Sequence, residues 1–446
     1  MPPMDLLLRG ATVVTLDADD RVLQGDVLVR DGRIVAVGEA APPRLPARVV
    51  DARGCAVVPG FVQAHVHLCQ TLFRGMADDL PLLPWLQRRI WPLEAAHDPA
   101  SLRASADLGL SEMIRGGTTT ILDMGTVRHH DAVFEALRDS GIRALSGKTM
   151  MDAPDAYPGL RETTAASLAE GDALCARWHG AADGRLGYAW APRFILSCTE
   201  ALFREVAARA RATGARLHTH AAEHAGEREA VRALLGRDDV DALRDWGFAG
   251  PDVIIAHGVQ LTPAQRRRMA ADGTRVTHCP SANLKLGSGV AKVSRMRRAG
   301  MVVALGADGA PCNNNLDALV EMRHAALLAK RLGDTAALPA REVLRMATID
   351  GARALGLDRE VGSIEVGKRA DLTVLRLDDA HVEPGGDVFS RVVYAAQSRD
   401  VRHVFVDGRA LLRDGELTTL RLDEVLPRAR AQARALVARA GLDGLG

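Results

Sequence analysis

The stretch Pro59-Gly-Phe-Val-Gln-Ala-His-Val-His67 joins a turn dipeptide to an apolar strand that ends in two histidines. Residues two apart in a strand project from the same face, so the imidazoles of His65 and His67 can converge on one cation. A pair of polar residues at a strand end gives the same pattern without a metal. The neighbouring strands must therefore be searched for further ligands.

Outward from this strand, residues 60–365 alternate apolar strand candidates with amphipathic helical stretches. Eight such units in about 300 residues predict a (β/α)8 TIM barrel of class α/β, with a parallel sheet. Catalytic residues of such barrels lie at the carboxyl ends of the strands. The predicted strands are Phe61 to Leu68, Thr118 to Met124, Ile142 to Met150, Leu186 to Ala191, Arg216 to Ala221, Val253 to Val259, Arg275 to Cys279 and Met301 to Gly306.

The two ends of the chain share a different sequence pattern, in which short predicted strands are separated by Gly, Asp and Pro. Neither end carries enough strands to enclose a core alone. We therefore predict that residues 1–59 and 366–420 form one composite β-sandwich domain around the inserted barrel. The Ala- and Arg-rich residues 421–446 predict a C-terminal helix.

The composition excludes several classes of partner. The 446 residues include 57 Lys and Arg against 56 Asp and Glu, a net charge of +1, so no basic surface favours nucleic acid or an anionic membrane. No apolar run approaches the ~20 residues of a membrane helix, and the first residues lack a signal peptide pattern. Six cysteines without CxxC pairs indicate reduced thiols, and together these features predict a cytoplasmic protein.

Further candidate ligands end other predicted strands: His220 ends the fifth, His257 the sixth, and Asp308 follows the eighth. Together with His65 and His67, they place every candidate where such a barrel concentrates function. Three imidazoles and a carboxylate predict one Zn²⁺ with an open position for water, with Fe²⁺ or another divalent ion as the alternative. His257 is a fifth group near this site. No Lys in the fourth strand offers a bridge to a second metal.

Glu223 follows His220 by three residues and can exchange a proton with a substrate while Asp308 accepts one from water. The alternative for Glu223 is a solvated carboxylate at a helix start. His220-Ala-Ala-Glu-His224 also matches a zinc-protease pattern, but that pattern requires a helix where a strand is predicted. His218 shares a face with His220, and we interpret it as a structural residue one layer deeper.

The histidines and aspartate described above, in their order along the chain, resemble the motifs of the amidohydrolase superfamily. The resemblance covers nearly the whole chain. Within the superfamily, the chain most resembles the deaminases of S-adenosylhomocysteine, methylthioadenosine and 5′-deoxyadenosine. Guanine deaminases and triazine hydrolases are similar to it at a greater distance. Beyond the ligands, the motifs that carry it are Gln70-Thr-Leu-Phe-Arg-Gly75, Asp78-Asp-Leu-Pro-Leu82, Ile90-Trp-Pro-Leu-Glu94, His278-Cys-Pro-Ser-Ala-Asn283 and Asp308-Gly-Ala-Pro-Cys-Asn-Asn-Asn315.

The resemblance implies hydrolytic deamination, in which zinc lowers the pKa of a water molecule from 15.7 towards about 7. The resemblance implies that Asp308 takes the proton of this water and that Glu223 delivers a proton to a ring nitrogen. His257 orients the hydroxide and stabilises the tetrahedral adduct before ammonia leaves. Glu94 is expected to accept hydrogen bonds from ribose hydroxyls, or else to be a helix-start carboxylate.

Residues 68–94 form a long loop at the barrel mouth that holds Phe73, Trp85 and Trp91. Such a loop predicts a lid that stacks on a flat ring, although core packing would explain the aromatics equally well. From this segment we assign Gln70 and Trp91 to substrate binding.

Lys148 and Arg193 are further candidate substrate contacts. They depart from the adenosylhomocysteine-deaminating members, which carry an Arg and a His near these places. Pro192-Arg-Phe194 instead resembles guanine deaminases, where the Arg addresses a purine oxo group.

The expected substrate is thus a weakly charged heterocycle. An adenosine-type nucleoside is the first choice, namely 5′-deoxyadenosine, methylthioadenosine or S-adenosylhomocysteine. Guanine is the second, and a triazine undergoing chloro- or aminohydrolysis the third. A non-catalytic scaffold would have no use for a complete ligand set. Because exposed barrel helices often pair, we also expect a homo-oligomer.

Overall fold

The computed structural model describes residues 5–38, 48–332 and 334–442. Parts of the predicted terminal segments, residues 1–4, 39–47 and 443–446, lie outside this range. The strands of the described residues are β1 Leu6–Val14, β2 Val22–Arg30, β3 Arg33–Val37, β4 Arg48–Asp51, β5 Cys55–Pro59, β6 Phe61–His67, β7 Thr118–Met124, β8 Arg143–Gly147, β9 Thr149–Met150, β10 Leu186–Pro192, β11 Arg216–Ala221, β12 Val253–His257, β13 Arg275–His278, β14 Val303–Leu305, β15 Asp308–Gly309, β16 Leu372–Arg376, β17 Val401–Val406, β18 Arg409–Arg413 and β19 Glu416–Leu417.

The α-helices are α1 Leu82–Trp85, α2 Trp91–Ala95, α3 Pro99–Arg115, α4 Asp131–Ser140, α5 Thr164–Trp178, α6 Glu200–Thr213, α7 Ala225–Leu235, α8 Asp239–Asp245, α9 Pro263–Asp272, α10 Pro280–Lys285, α11 Val293–Arg298, α12 Ala310–Asn313, α13 Ala318–Ala329, α14 Ala340–Met346, α15 Ile349–Leu355, α16 Val388–Ser390 and α17 Leu422–Arg439. In the described part of the chain, none of these helices is both long enough and apolar enough to cross a lipid bilayer.

The barrel sheet runs β14-β13-β12-β11-β10-β8-β7-β6-β15, with β9 on β10. Neighbouring strands pair in parallel. The third strand is divided into β8 and β9, and the eighth into β14 and β15. Because β14 pairs with β13 and β15 pairs with β6, the two pieces of the eighth strand close the ring. The predicted (β/α)8 barrel is confirmed.

A glycine lies at the break in the eighth strand. A Cβ atom at Gly306 would stand 2.5 Å from the carbonyl oxygen of His65, which is closer than any side chain tolerates. The chain can therefore pass directly beside the first barrel strand and deliver Asp308 opposite Val66.

Strands from both ends of the chain build the second sheet. Its order is β19-β18-β17-β16-β5-β1-β2-β3, with β4 on β1, and the contact between the ends is the antiparallel pair β5 and β16. Leu6 and Val29 share one buried apolar cluster with Leu372 and Phe405. The composite β-sandwich domain is confirmed, because its core needs both termini.

The exact limits of the domains remain our proposal: residues 1–59 with 366–420, then 60–365, then 421–446. The strands agree with this division, since β5 ends at Pro59, β6 begins at Phe61 and β16 begins at Leu372.

A buried ion cluster joins the amino end of the barrel to the composite sheet. Arg143, the first residue of β8, donates from Nε to Asp371 Oδ2 at 2.7 Å and from Nη2 to Asp371 Oδ1 at 3.0 Å and to Asp407 Oδ1 at 2.7 Å. Burial alone would lower the pKa of Arg143, but the facing carboxylates raise it above its ordinary value. Asp407 also accepts from Arg369 at 2.9 Å. Charges of both signs are therefore matched at this end.

Candidate metal and active site

The four predicted ligands converge at the carboxyl end of the barrel. The Nε2 atoms of His67 and His220 lie 3.3 Å apart. Oδ1 of Asp308 lies 3.3 Å from Nε2 of His65 and 3.5 Å from Nε2 of His67. These side chains come from β6, β11 and β15: ring closure pairs β15 with β6, and β11 lies on the opposite side of the ring. All four residues are buried.

Backbone carbonyls fix which nitrogen carries the proton in two of the three imidazoles. Nδ1 of His67 donates to the carbonyl of Met124 at 2.7 Å, and Nδ1 of His220 donates to the carbonyl of Arg193 at 2.9 Å. A carbonyl can only accept, so both Nε2 atoms carry lone pairs. These lone pairs face each other and cannot hydrogen-bond.

This arrangement fits a divalent cation. Two nitrogens bound to one zinc ion at ~2.0–2.1 Å in a tetrahedron are about 3.3 Å apart, as the His67 and His220 atoms are. Within the described residues, Nε2 of His65 is buried without a hydrogen-bond partner. Burial lowers the pKa of His67 to about 3 and that of His220 well below its usual range, so both rings are neutral and available as ligands.

Glu223 lies in the connection from β11 to α7, where two further carboxylates hold the backbone. Glu227 Oε2 accepts from the Glu223 N–H at 2.9 Å, and Asp239 Oδ2 accepts from the Ala222 N–H at 2.6 Å. Burial raises the pKa of Glu223 well above its usual range, and the Glu227 and Asp308 carboxyl groups add to the effect. Glu223 can therefore carry a proton near neutral pH.

His257 stands between the two acidic groups. Its Nε2 lies 3.5 Å from Glu223 Oε2 and 3.9 Å from Asp308 Oδ2. On the other side of the ring, Nδ1 donates to Oδ1 of Asn283 at 2.9 Å. The Asn283 contact fixes the ring, so that the Nε2 lone pair faces the gap between Glu223 and Asp308.

Three non-glycine residues at these strand ends adopt left-handed backbone conformations. Their φ angles are 51° at Ala222, 76° at His257 and 65° at Asp308. Such angles are uncommon outside glycine and cluster at functional sites. Here the sharp change of direction turns Glu223, His257 and Asp308 towards one point.

A pocket opens onto this cluster. Its polar end contains His67, Gln70, Arg193, His220, Glu223, His257 and Asp308, and its remaining walls are Leu82, Trp85, Leu86, Phe194 and Leu286. Apolar walls with a few convergent polar groups are typical of small-molecule sites.

Glu94, Arg193 and Gln70 form a connected group below the pocket. Arg193 donates to Glu94 Oε2 at 2.6 Å and to Oε1 at 3.3 Å, while Gln70 Nε2 donates to Glu94 Oε1 at 2.7 Å. Both oxygens of Glu94 are thus engaged, and Glu94 is not among the pocket-lining residues. Gln70 Oε1 is buried and has no partner among the described residues.

The structure does not bring three of the predicted substrate contacts to the pocket: Glu94, described above, Lys148 and Trp91. Lys148 lies between β8 and β9, and its Nζ donates to Glu162 and to Glu170 of α5, both at 2.6 Å. This side chain therefore points towards the surrounding helices, which corrects its predicted role. Trp91 packs beside Tyr157, with ring centroids 6.2 Å apart, and Trp85 lines the pocket in its place.

Two other interpretations are settled by local structure. His220 belongs to β11, and His224 precedes α7, where its Nδ1 accepts from the N–H of Gly226. The two histidines therefore do not share a helical face, and the protease pattern is wrong. His218, interpreted as structural, contacts the candidate ligand His65 directly at 2.8 Å. The spacing of two residues between His218 and His220 was the sequence feature that could have indicated a place beside the site.

Comparison with known proteins confirms the resemblance. Residues 56–411 match the amidohydrolase family. A 5′-deoxyadenosine deaminase of Methanosarcina acetivorans is 39% identical over 438 residues, covering 98% of this chain and 99% of the relative. A 5-methylthioadenosine/S-adenosylhomocysteine deaminase of Halobacterium salinarum is 43% identical over 445 residues, covering 97% and 99%.

Among solved structures, an adenosine deaminase of Xanthomonas campestris with bound zinc superposes with a TM-score of 0.91. It is 35% identical in sequence, and the match covers 98% of this chain and 99% of that one. On these matches, this chain belongs to the amidohydrolase family and is a hydrolase acting on C–N bonds.

Proposed function

We propose that this protein is a zinc-dependent deaminase that hydrolyses the exocyclic amino group of a purine, with an adenosine-type nucleoside as the first candidate. One observation carries the proposal: three neutral imidazoles and Asp308 converge beside Glu223, a buried carboxyl group with a raised pKa. The relatives that match nearly the whole chain are named for 5′-deoxyadenosine and for methylthioadenosine and S-adenosylhomocysteine, which supports the substrate class.

We assign one Zn²⁺ to Nε2 of His65, His67 and His220 and to a carboxylate oxygen of Asp308. When bound, zinc lowers the pKa of water enough to make hydroxide available at neutral pH. Fe²⁺ or another divalent ion remains the alternative, because nitrogen and oxygen ligands accept several such ions.

The residues of the chain then divide the proton transfers. Asp308 is ionised at neutral pH and accepts the proton of the attacking water. Glu223, kept protonated by burial, donates to the ring nitrogen next to the carbon that bears the amino group. The Nε2 lone pair of His257 orients the attacking water between these two carboxyl groups. The apolar walls exclude other water, which strengthens these interactions.

An ammonia-release screen tests the proposal. The substrates are adenosine, 5′-deoxyadenosine, methylthioadenosine, S-adenosylhomocysteine, guanine, cytosine and a chlorotriazine, and chloride release is followed for the last. We expect the highest kcat/KM with an adenosine-type nucleoside. Zinc-loaded protein that releases no ammonia from any purine would contradict the proposal, and turnover of the chlorotriazine alone would favour triazine hydrolysis.

A second candidate, guanine, is favoured by the group below the pocket. Gln70 Oε1 is an unpartnered acceptor, and Arg193 is a buried donor in the same wall. An adjacent acceptor and donor match the N–H and C=O of a cyclic amide, which guanine has and adenine lacks. Replacement of Arg193 by Met separates the candidates: it should lower kcat/KM for guanine more than for 5′-deoxyadenosine if the guanidinium binds an oxo group.

Three expectations about the assembly and its setting complete the proposal. We propose a homo-oligomer, with the molar mass from light scattering as the measurement. We propose a cytoplasmic location, which the six free thiols support. The near-zero net charge supports a small heterocycle as the partner in place of a nucleic acid.

A further inference from the structure

His218 precedes the ligand His220 by two residues in β11 and points to the same face of the strand. It is completely buried, and both of its ring nitrogens have partners. Its Nδ1 lies 3.0 Å from the carbonyl oxygen of Ile254 in β12, and its Nε2 lies 2.8 Å from Nδ1 of His65. The side chain therefore bridges the neighbouring strand and the first metal ligand.

The direction of the protons in this chain follows from its outer end. The Ile254 carbonyl can only accept, so Nδ1 of His218 carries a hydrogen and its Nε2 carries a lone pair. Nδ1 of His65 must then be the donor to that lone pair. This leaves Nε2 of His65 unprotonated, and it is the atom that has no hydrogen-bond partner in the described part of the chain.

The other two histidine ligands are held differently. Nδ1 of His67 and Nδ1 of His220 each donate directly to a backbone carbonyl, which cannot change its role. His65 instead donates to a side chain that could itself exist in either tautomer. Its correct orientation thus depends on a second residue, and a substitution can remove that residue without touching a ligand.

We propose that His218 is the positioning residue of the metal site, holding His65 in the tautomer and orientation that binds the cation. The inference rests on the proposed metal site. Groups that orient metal-bound histidines typically account for a 10–100-fold change in metal affinity when they are replaced. Without His218, Nδ1 of His65 loses its acceptor, and the ring is free to turn or to take the other tautomer.

The main experiment measures zinc affinity in the metal-free full-length protein, by competition with a chromophoric chelator. We expect His218→Leu to bind Zn²⁺ about 10–100-fold more weakly than the wild type. His218→Gln should recover most of the loss, because its amide oxygen can accept from His65 while its amide nitrogen donates to Ile254. Recovery by Gln separates positioning from a purely structural role.

The matched control is His403→Leu, which removes a buried imidazole from β17 in the composite sheet. It should lower the thermal midpoint and leave the zinc affinity unchanged. An affinity of His218→Leu within about twofold of the wild type, well below the change such groups typically cause, would overturn the inference. If the wild type itself binds no zinc, the proposed function fails before this step is reached.

A second measurement needs no variant, should His218→Leu not fold. NMR of metal-free protein labelled with ¹⁵N-histidine reports the tautomer of each ring. We expect both His65 and His218 to carry their protons on Nδ1 and to share one hydrogen bond. A proton on Nε2 of either ring would overturn the inference, since the relay from Ile254 to His65 would then be broken.

Discussion

The two ends of the barrel each bury a cluster of polar side chains, and the clusters differ in one respect. At the amino end, Arg143 is surrounded by Asp371 and Asp407, and its donors meet carboxylate oxygens. At the carboxyl end, the imidazoles of His67 and His220 direct lone pairs at each other. A cluster that is satisfied internally holds structure together, whereas a cluster with surplus acceptors requires a ligand.

The difference has energetic consequences. A buried polar atom without a partner is destabilising by about 1–3 kcal/mol, so the carboxyl end weakens the metal-free fold. Breaking a matched ion pair leaves a buried charge and is more destabilising still. We therefore expect substitutions or metal loss at the carboxyl end of the barrel to abolish catalysis. Substitutions at the amino end should instead lower the stability of the fold.

The largest effect should follow removal of the metal. Dialysis against a chelator should abolish ammonia release and lower the thermal midpoint, because a ligand that binds only the folded state stabilises it. Added Zn²⁺ should restore both, and protein dialysed against buffer alone is the control. Full activity in protein shown to be metal-free would contradict the view that the cluster at the carboxyl end requires a bound metal.

Glu223→Gln should lower kcat by about 10²–10⁴-fold, since the amide cannot donate a proton to the substrate as the acid does. Zinc content, measured by elemental analysis, should stay at the wild-type level because Glu223 is not a ligand. Glu229→Gln, an exposed position on the neighbouring helix α7, is the matched control and should leave kcat unchanged. Unaltered turnover in Glu223→Gln would remove this residue from the mechanism.

At the amino end, Arg143→Met should lower the free energy of unfolding by about 3–5 kcal/mol, since Asp371 would be left buried without its cation. Urea denaturation measures the loss, while KM and zinc content should match the wild type. As a comparison, Arg177→Met removes an exposed partner of Asp131, and a loss of at most about 1 kcal/mol is expected. A variant of Arg143 that folds normally but loses zinc would show that the two clusters are coupled.

The smallest effect is expected for Lys148→Met, which tests the corrected placement of this side chain. We expect KM to be unchanged and stability to fall by about 1–3 kcal/mol, because Glu162 loses its buried partner. A higher KM at unchanged stability would restore Lys148 to the substrate site.

The same variant has a predictable pH dependence. Burial already raises the pKa of Glu162, and loss of the lysine raises it further. An acid whose pKa is higher in the folded state binds more protons there, so stability falls as pH rises above the unfolded value. Urea midpoints should show a larger deficit of Lys148→Met at about pH 8 than at about pH 5. An equal deficit at both values would contradict this account.

Local patterns in the sequence predicted most of the fold and the convergence of the candidate ligands. His65 and His67 alternate with apolar residues, and His220, His257 and Asp308 fall where apolar runs end, so each could be placed on a strand without knowledge of its neighbours. The composite sheet was predictable because neither end of the chain has enough strands for its own core.

What could not be predicted depended on geometry beyond one strand. The break between β8 and β9 at Lys148 changes which way that side chain points, and no periodicity records such a break. Trp85 ends α1 and Trp91 begins α2, in a segment predicted as a loop, and only the turn of this helical stretch decides which ring reaches the pocket. His218 could be placed on the same face as His220, but its acceptor, a carbonyl of the next strand, could not be identified.

The division of the eighth strand links metal uptake to the order in which the chain is made. His65 leaves the ribosome early, whereas Asp308 arrives only when almost the whole barrel has been synthesised. Asp308 reaches its place by the pairing of β15 with β6, which is also the step that closes the ring. A nascent chain lacking that strand has three of the four proposed ligands and an open barrel. Tight zinc binding would then report that the barrel has closed, since the last proposed ligand and the last barrel strand arrive together.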